Sequence, residues 1–129
     1  PSDDVTGGGY YMFIETSSPR VQGDQAVLYT TCIDISALNN PCLQFSFHMY
    51  GSDIGSLAVN INGNQAWMKS GDYGNQWLQD EINLSSYVGS TIIIEFIGVR
   101  GASWAGDIAI DQISVDEAVD KINAELAKF

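Results

Sequence analysis

Basic residues are scarce. Five Lys and Arg stand against sixteen Asp and Glu in 129 residues, a formal net charge of −11. Phosphate backbones and anionic membrane surfaces are gripped by clustered Lys and Arg, so the charge argues against a nucleic-acid partner and against anionic lipid. It suits surroundings rich in salt or divalent cations, although solubility alone would also account for it. Histidine occurs once, which excludes a His-based metal cluster, and neither of the two cysteines lies in a CxxC pair that would suggest zinc. No apolar run approaches the roughly 18 residues of a membrane helix, so no membrane insertion is expected. A signal peptide is lacking as well, since Pro1 leads straight into SDDVTGGG. The expectation is a segment of a larger exported protein.

What is present reads as one globular domain. Hydrophobic residues make up 45% and charged residues 16%, ordinary values for a chain that buries a core. From Tyr10 to Val115 apolar and polar residues alternate with period two, broken by Gly, Asn, Asp and Ser. Strands are expected at 10–15, 25–35, 42–50, 56–61, 65–70, 75–87, 91–99 and 106–115. In CLQFSFHMY, Leu43, Phe45, Phe47 and Met49 share one face, and Gln44, Ser46, His48 and Tyr50 share the other. Asn62-Gly63-Asn64 predicts a hairpin turn, because Asn and Gly adopt positive φ readily. TIIIEFIGV is apolar enough for a strand covered on both faces. Seven to nine strands separated by turns imply an all-β, two-sheet antiparallel jelly-roll sandwich.

Only the end of the chain changes period. Val115, Val119, Ile122, Leu126 and Phe129 step by four and three, which predicts a short C-terminal α-helix over 116–129 appended to a domain at 1–115. Asp116 is its expected N-cap, and Lys128 in the last turn suits the helix dipole. The apolar stripe would pack on the domain or pair with another copy. Cys32 and Cys42 flank the turn-rich IDISALNNP. A disulfide closing that loop would stabilise by about 3 kcal/mol on the chain-entropy model, and two buried free thiols are the alternative.

Several separated blocks, in order, resemble the MAM domain, an extracellular module of meprins, neuropilins and receptor tyrosine phosphatases. They are DVTGGGYYMFIETSSP, QAVLYT, CLQFSFHMYGSDIGSLAVNI, WMKSGDYGNQW and IIIEFIGVRGASWAGDIAIDQI, spanning residues 4–115. The chain departs from the pattern in having two cysteines where members usually have four, Val5 where His is usual, and Gln112 in place of the second of two paired aspartates. The resemblance implies a jelly roll, an extracellular location on a secreted or cell-surface protein, and adhesion or recognition without catalysis. It places Trp67 and Trp77 in the framework and gives His48 a structural part.

Asp107 and Asp111 sit among aliphatics on the expected closing strand. Four residues apart, their Cα atoms are roughly 13 Å apart at about 3.3 Å per residue, too far for two short side chains to share one ion easily. A further ligand from the opening segment, Asp4 above all, with Asp3 or Glu15 as others, would complete a site. The expectation is a structural calcium ion, with sodium second, held by Asp111 and Asp4 and backbone carbonyls, Asp107 being the alternative ligand. The competing reading is that Asp107 caps a loop and Asp111 accepts backbone N–H bonds.

No Ser or Cys nucleophile has a recognisable base partner, and TGGGYY precedes a strand, so it is no phosphate cradle. Sixteen acids offer many pairs for glycoside hydrolysis, but nothing singles one out. An enzyme is not expected. Tyr73 and Trp104 fall on expected loops beside Asp72, Asn75 and Arg100, where exposed rings would anchor a protein partner or stack on sugar. The leading expectation is a non-catalytic recognition or adhesion module that binds a protein partner or itself. A carbohydrate-binding module directing an appended enzyme to polysaccharide is the alternative.

Overall fold

The computed structural model describes residues 1, 5–7, 12–14, 21–103 and 106–118. Among the described residues ten strands run in the order β1 (Met12–Ile14), β2 (Gln25–Tyr29), β3 (Ile33–Asp34), β4 (Pro41–Tyr50), β5 (Ser56–Ile61), β6 (Asn64–Ser70), β7 (Leu78–Asn83), β8 (Thr91–Ile92), β9 (Ile94–Val99) and β10 (Asp107–Glu117). One four-stranded sheet has the order β1-β10-β4-β7, the other β2-β9-β5-β6, and β3 pairs with β8 in a small third sheet. Every pairing is antiparallel. This is the expected all-β sandwich.

The alternation in β4 decides the core. Leu43, Phe45, Phe47 and Met49 point inward and are buried with Leu57, Val59 and Ile61 of β5, Ile94 and Phe96 of β9, and Ile108 and Ile110 of β10. Phe45 is the hub: its ring meets Trp67 edge-on at 4.9 Å and Phe96 at 5.5 Å. Trp67 also donates its indole N–H to Asp80 Oδ2 at 2.8 Å, tying β6 to β7 and closing that edge of the sandwich.

Two expected strands break. The stretch 25–35 divides into β2 and β3, which join different sheets. At the break, Thr30 exchanges bonds with Ile94: its N–H donates to the Ile94 carbonyl, and its Oγ1 accepts the Ile94 N–H. The run 91–99 divides at Ile93, whose N–H donates to Asn62 Oδ1 at 2.8 Å and whose carbonyl accepts the Asn62 N–H at 3.0 Å. The hairpin turn is as expected, with Asn62 at φ 50° and Gly63 at φ 81°. β9 is buried on one face only, since Ile97 and Val99 are half-exposed, so the expectation of two covered faces fails. The expected strand 75–87 is β7 followed by a 3-10 turn at Ser85–Tyr87.

The closing strand is longer than expected. Asp116 and Glu117 pair with Cys42 and Pro41, so they extend β10 and Asp116 is no helix cap. The Glu117 carboxylate accepts the N–H groups of Asn39 and Asn40 at 2.7 and 2.9 Å, and Ala118 donates to the Asn40 carbonyl. That reciprocal grip holds the backbone extended where the apolar spacing had suggested a helix. Residues 119–129, which carry most of the expected helix, lie outside the described residues.

A bulge makes this length possible. Asp111 faces Ser46, yet Ser114 faces Gln44, so one extra residue is accommodated at Gln112–Ile113. Ile108, Ile110 and Val115 can then all pack on the core, although 115 has the wrong parity for an unbroken strand. The bulge places Gln112 at φ 49°, a left-handed conformation that costs a side-chain-bearing residue about 1–2 kcal/mol. Gln112→Gly should therefore stabilise the fold by about 0.5–1 kcal/mol, read as a higher urea midpoint at unchanged slope.

Candidate functional site

The outer face of the β1-β10-β4-β7 sheet should be wet by alternation, yet part of it is buried. Cys42, Ser46 and His48 point away from the core, yet Ser46 is 2% and His48 1% exposed. Two chain segments make contacts on this face. The loop after β6 brings Asn75, whose Oδ1 lies 3.1 Å from His48 Nε2, and Trp77, whose ring meets the imidazole at 5.5 Å. The opening segment arrives at β10, where the Val5 N–H donates to Asp111 Oδ2 at 3.2 Å across 106 residues of sequence.

Asp107 and Asp111 of the closing strand both face outward. Asp107 pairs with Tyr50 at the start of β10 and is exposed. Asp111 sits at the bulge, with Oδ1 accepting the Gln112 N–H at 2.8 Å and Oδ2 accepting Val5. Its carboxylate thus supports the strained residue and anchors the opening segment together. Asp4, the expected second metal ligand, lies outside the described residues, as do Asp3, Glu15 and Trp104. Among the described residues no group of three or more His, Cys, Asp or Glu is placed to hold a metal ion.

The expected Cys32–Cys42 disulfide is not formed in this structure. Both cysteines are free, Cys32 exposed and Cys42 buried. The Cys42 thiol lies 3.5 Å from Glu81 Oε2 of β7. Burial, and then the Glu81 charge, raise its pKa to about 11, so it is an inert thiol.

The expected loop contacts are engaged internally. Tyr73 is half-buried, edge-on to Phe47 at 6.2 Å with the Lys69 ammonium 5.9 Å from its ring centroid, so it belongs to the core's margin. Asp72 Oδ1 accepts the N–H groups of Gly74 at 2.9 Å and Gly51 at 3.4 Å. Arg100 is 9% exposed and donates from Nη1 to the Gly101 carbonyl. Beside it, the backbones of the 53–55 and 99–101 segments touch so closely that a Cβ on Gly55 or Gly101 would strike main-chain atoms. Trp67 is in the core margin as expected, whereas Trp77 lies on the outer face over His48.

Composition did not disclose the opposite region, the β1/β2 edge. A cleft of about 150 Å³ opens there between the sheets, lined by Met12, Phe13, Val27, Leu28, Phe96 and Ile108 among others. Met12 is 54%, Phe13 55% and Tyr29 71% exposed. Neither MFI of β1 nor QAVLY of β2 carries a charge. The signal available in the sequence was this run of uncharged residues in a chain with sixteen acids.

Strand order and pairing together define a jelly-roll sandwich of the all-β class. The family model described as "MAM domain, meprin/A5/mu" matches residues 1–119. This chain belongs to the MAM domain family. It is 42% identical over 124 residues to MAM domain-containing glycosylphosphatidylinositol anchor protein 1 of Gallus gallus, covering 89% of this chain and 13% of that protein. Identity to MAM domain-containing glycosylphosphatidylinositol anchor protein 2 of Mus musculus is 37% over 134 residues, covering 91% and 14%. The chain thus spans about one seventh of these relatives, and they place such a module outside the cell or on its surface. Among solved structures, the secreted serine protease VesC from Vibrio cholerae superposes with a TM-score of 0.65 at 17% identity, over 90% of this chain and 23% of that one. The C-terminal domain of EclA, a sugar-binding protein, superposes with 0.61 at 10% identity, over 83% and 77%. Both likenesses show the fold alone.

His48 sets a pH response. Burial, reinforced by the nearby amino-terminal charge, lowers its pKa below the usual 6.5, against a smaller opposing effect of Asn75. The unfolded chain then takes up a proton that the folded one refuses, so stability is full above pH 6.5 and declines as pH falls from there toward the depressed value. His48→Gln should flatten urea midpoints between pH 6.5 and 5, where the parent loses stability.

Proposed function

We propose that this MAM domain is a non-catalytic recognition module that binds a protein partner, or a second copy of itself, through the β1/β2 edge. One observation carries the reading: among the described residues, the sandwich is tied shut at one edge by Trp67 and Asp80 and is open, apolar and uncharged at the other. Exposed apolar surface at a sheet edge favours association, because it removes hydrocarbon from water and offers unpaired backbone groups to an added strand. In a chain of net charge −11 this is also where like-charge repulsion between copies is weakest. The carbohydrate alternative at Tyr73, Asp72, Asn75 and Arg100 finds less support, since each of those groups is engaged within the domain.

A calcium ion, or sodium, remains a proposal for the junction of the two chain ends, held by Asp111 and Asp4 with Asp107 as the alternative. Its support is the meeting of the opening segment with β10 at Asp111, whose carboxylate oxygens each retain a lone pair beside the N–H they accept. Calcium at about 100-fold excess over its dissociation constant should add roughly 2.7 kcal/mol to the unfolding free energy. Melting curves with calcium and with chelator check this, and coincident curves in potassium buffer would remove the ion.

The edge itself is tested by Val27→Lys. A lysine there should abolish self-association in sedimentation velocity, or cell-surface binding of a tagged domain, while leaving the melting midpoint unchanged. Association that survives the lysine would exclude this edge.

A further inference from the structure

One asparagine alone is followed two positions on by a hydroxyl residue: Asn83, in Asn83-Leu84-Ser85. That triplet is the acceptor signal for N-linked glycosylation in exported proteins, provided the middle residue is not proline. Signals this short recur by chance, so the surroundings decide whether the amide can be used. Asn83 closes β7, an edge strand of its sheet. Its side chain is exposed on the outer face, while Ile82 and Leu84 on either side are buried. The chain then turns at once: the Leu84 N–H donates to the Pro41 carbonyl at 2.9 Å, and Ser85–Tyr87 form the 3-10 turn. The acceptor thus stands where a strand gives way to a turn, in a module whose relatives place it outside the cell or on its surface.

The hydrogen bonds identify which amide atom is available. The Ser85 N–H can only donate, and it lies 2.8 Å from Asn83 Oδ1; the Ser85 hydroxyl donates to the same oxygen. The side-chain carbonyl is therefore held by the turn, and Nδ2 points away from it. We propose that Asn83 Nδ2 carries an N-linked oligosaccharide. In the transfer, Nδ2 bonds to C1 of the first sugar of a lipid pyrophosphate-linked oligosaccharide, the C1–O bond to the pyrophosphate breaks, and Nδ2 gives up one of its two protons. The product is a secondary amide that keeps its carbonyl oxygen and one N–H. Both bonds from Ser85 to Oδ1 survive, so the turn after β7 needs no rearrangement. A bulky hydrophilic chain here also shields the open backbone edge of β7 from pairing with another chain. Sheet order puts three strand spacings, roughly 14 Å, between β7 and β1. The glycan and the β1/β2 edge thus lie on opposite sides of the sheet, and the assignment does not depend on what binds at that edge.

The test is secretion of the whole chain from cultured mammalian cells behind a cleavable signal sequence. The parent should migrate as a heavier species that peptide-N-glycosidase F collapses to the peptide mass, with enzymatic deamidation at Asn83 read by peptide mass spectrometry. Asn83→Gln and Ser85→Ala should each lose the mass shift, and Ser85→Thr should keep it. The glycosylated domain should melt no lower than the same chain made in bacteria, because the turn gives up no hydrogen bond. Val27→Lys should be glycosylated like the parent whatever it does to association, which separates this site from the protein-binding reading. The proposal is overturned if the secreted parent carries no glycosidase-sensitive mass, if the shift persists in Asn83→Gln, or if the glycan lowers the melting midpoint. Should a substituted chain fail to be secreted, the peptide map of the parent decides by itself.

Discussion

The bulge in β10 is the constraint on which the sandwich depends. β10 is bonded on both sides, to β1 and to β4, and it must deliver Ile108, Ile110 and Val115 to one core. An unbroken strand cannot do so, because its faces alternate with period two. The inserted residue resets the phase at the expense of one left-handed glutamine, and the Asp111 carboxylate accepts that residue's N–H. The same carboxylate holds Val5, so the device that re-phases the last strand also fixes the first segment of the chain. Two aspartates in an aliphatic strand thereby have a physical account. They lie on the outer face, and Asp111 is retained by two backbone N–H donors.

Part of the outer face is buried as well. Asn75 and Trp77 meet His48, and Ser46 and His48 of β4, which alternation would turn toward water, are buried. β4 is thus buried along most of its length. Met12, Phe13, Val27 and Tyr29 are exposed at the β1/β2 edge, where the cleft opens between the sheets. The two edges of this small domain thus differ, one held by an indole–carboxylate bond and the other lined with hydrocarbon.

Much of this was legible in the order of residues. The alternation in 42–50 named the inward set Leu43, Phe45, Phe47 and Met49 correctly, and Asn62-Gly63 announced its turn. The failures share a cause. Local pattern could not see Thr30 capturing Ile94, Asn62 capturing Ile93, or Glu117 capturing the 39–40 backbone, and each of those distant bonds relocated an element boundary. Tyr73 and Asp72 looked like free loop groups because their partners Phe47 and Gly51 are more than twenty residues away. Proximity of two cysteines in sequence likewise said nothing of direction, and the Cys42 thiol is aimed at Glu81.

By itself, the sequence determined what each strand hides and what it shows, since period-two hydrophobicity is a local property written residue by residue. It determined the family as well, through ordered blocks that the match over residues 1–119 bears out. Only the tertiary structure decided that the polar face of β4 is covered, that Asp111 meets Val5, and that one edge of the sandwich is left open. Those outcomes rest on which segments lie over which once the sheets are stacked. Residues separated by up to 106 positions become neighbours through hydrogen bonds and packing that no short window of sequence contains.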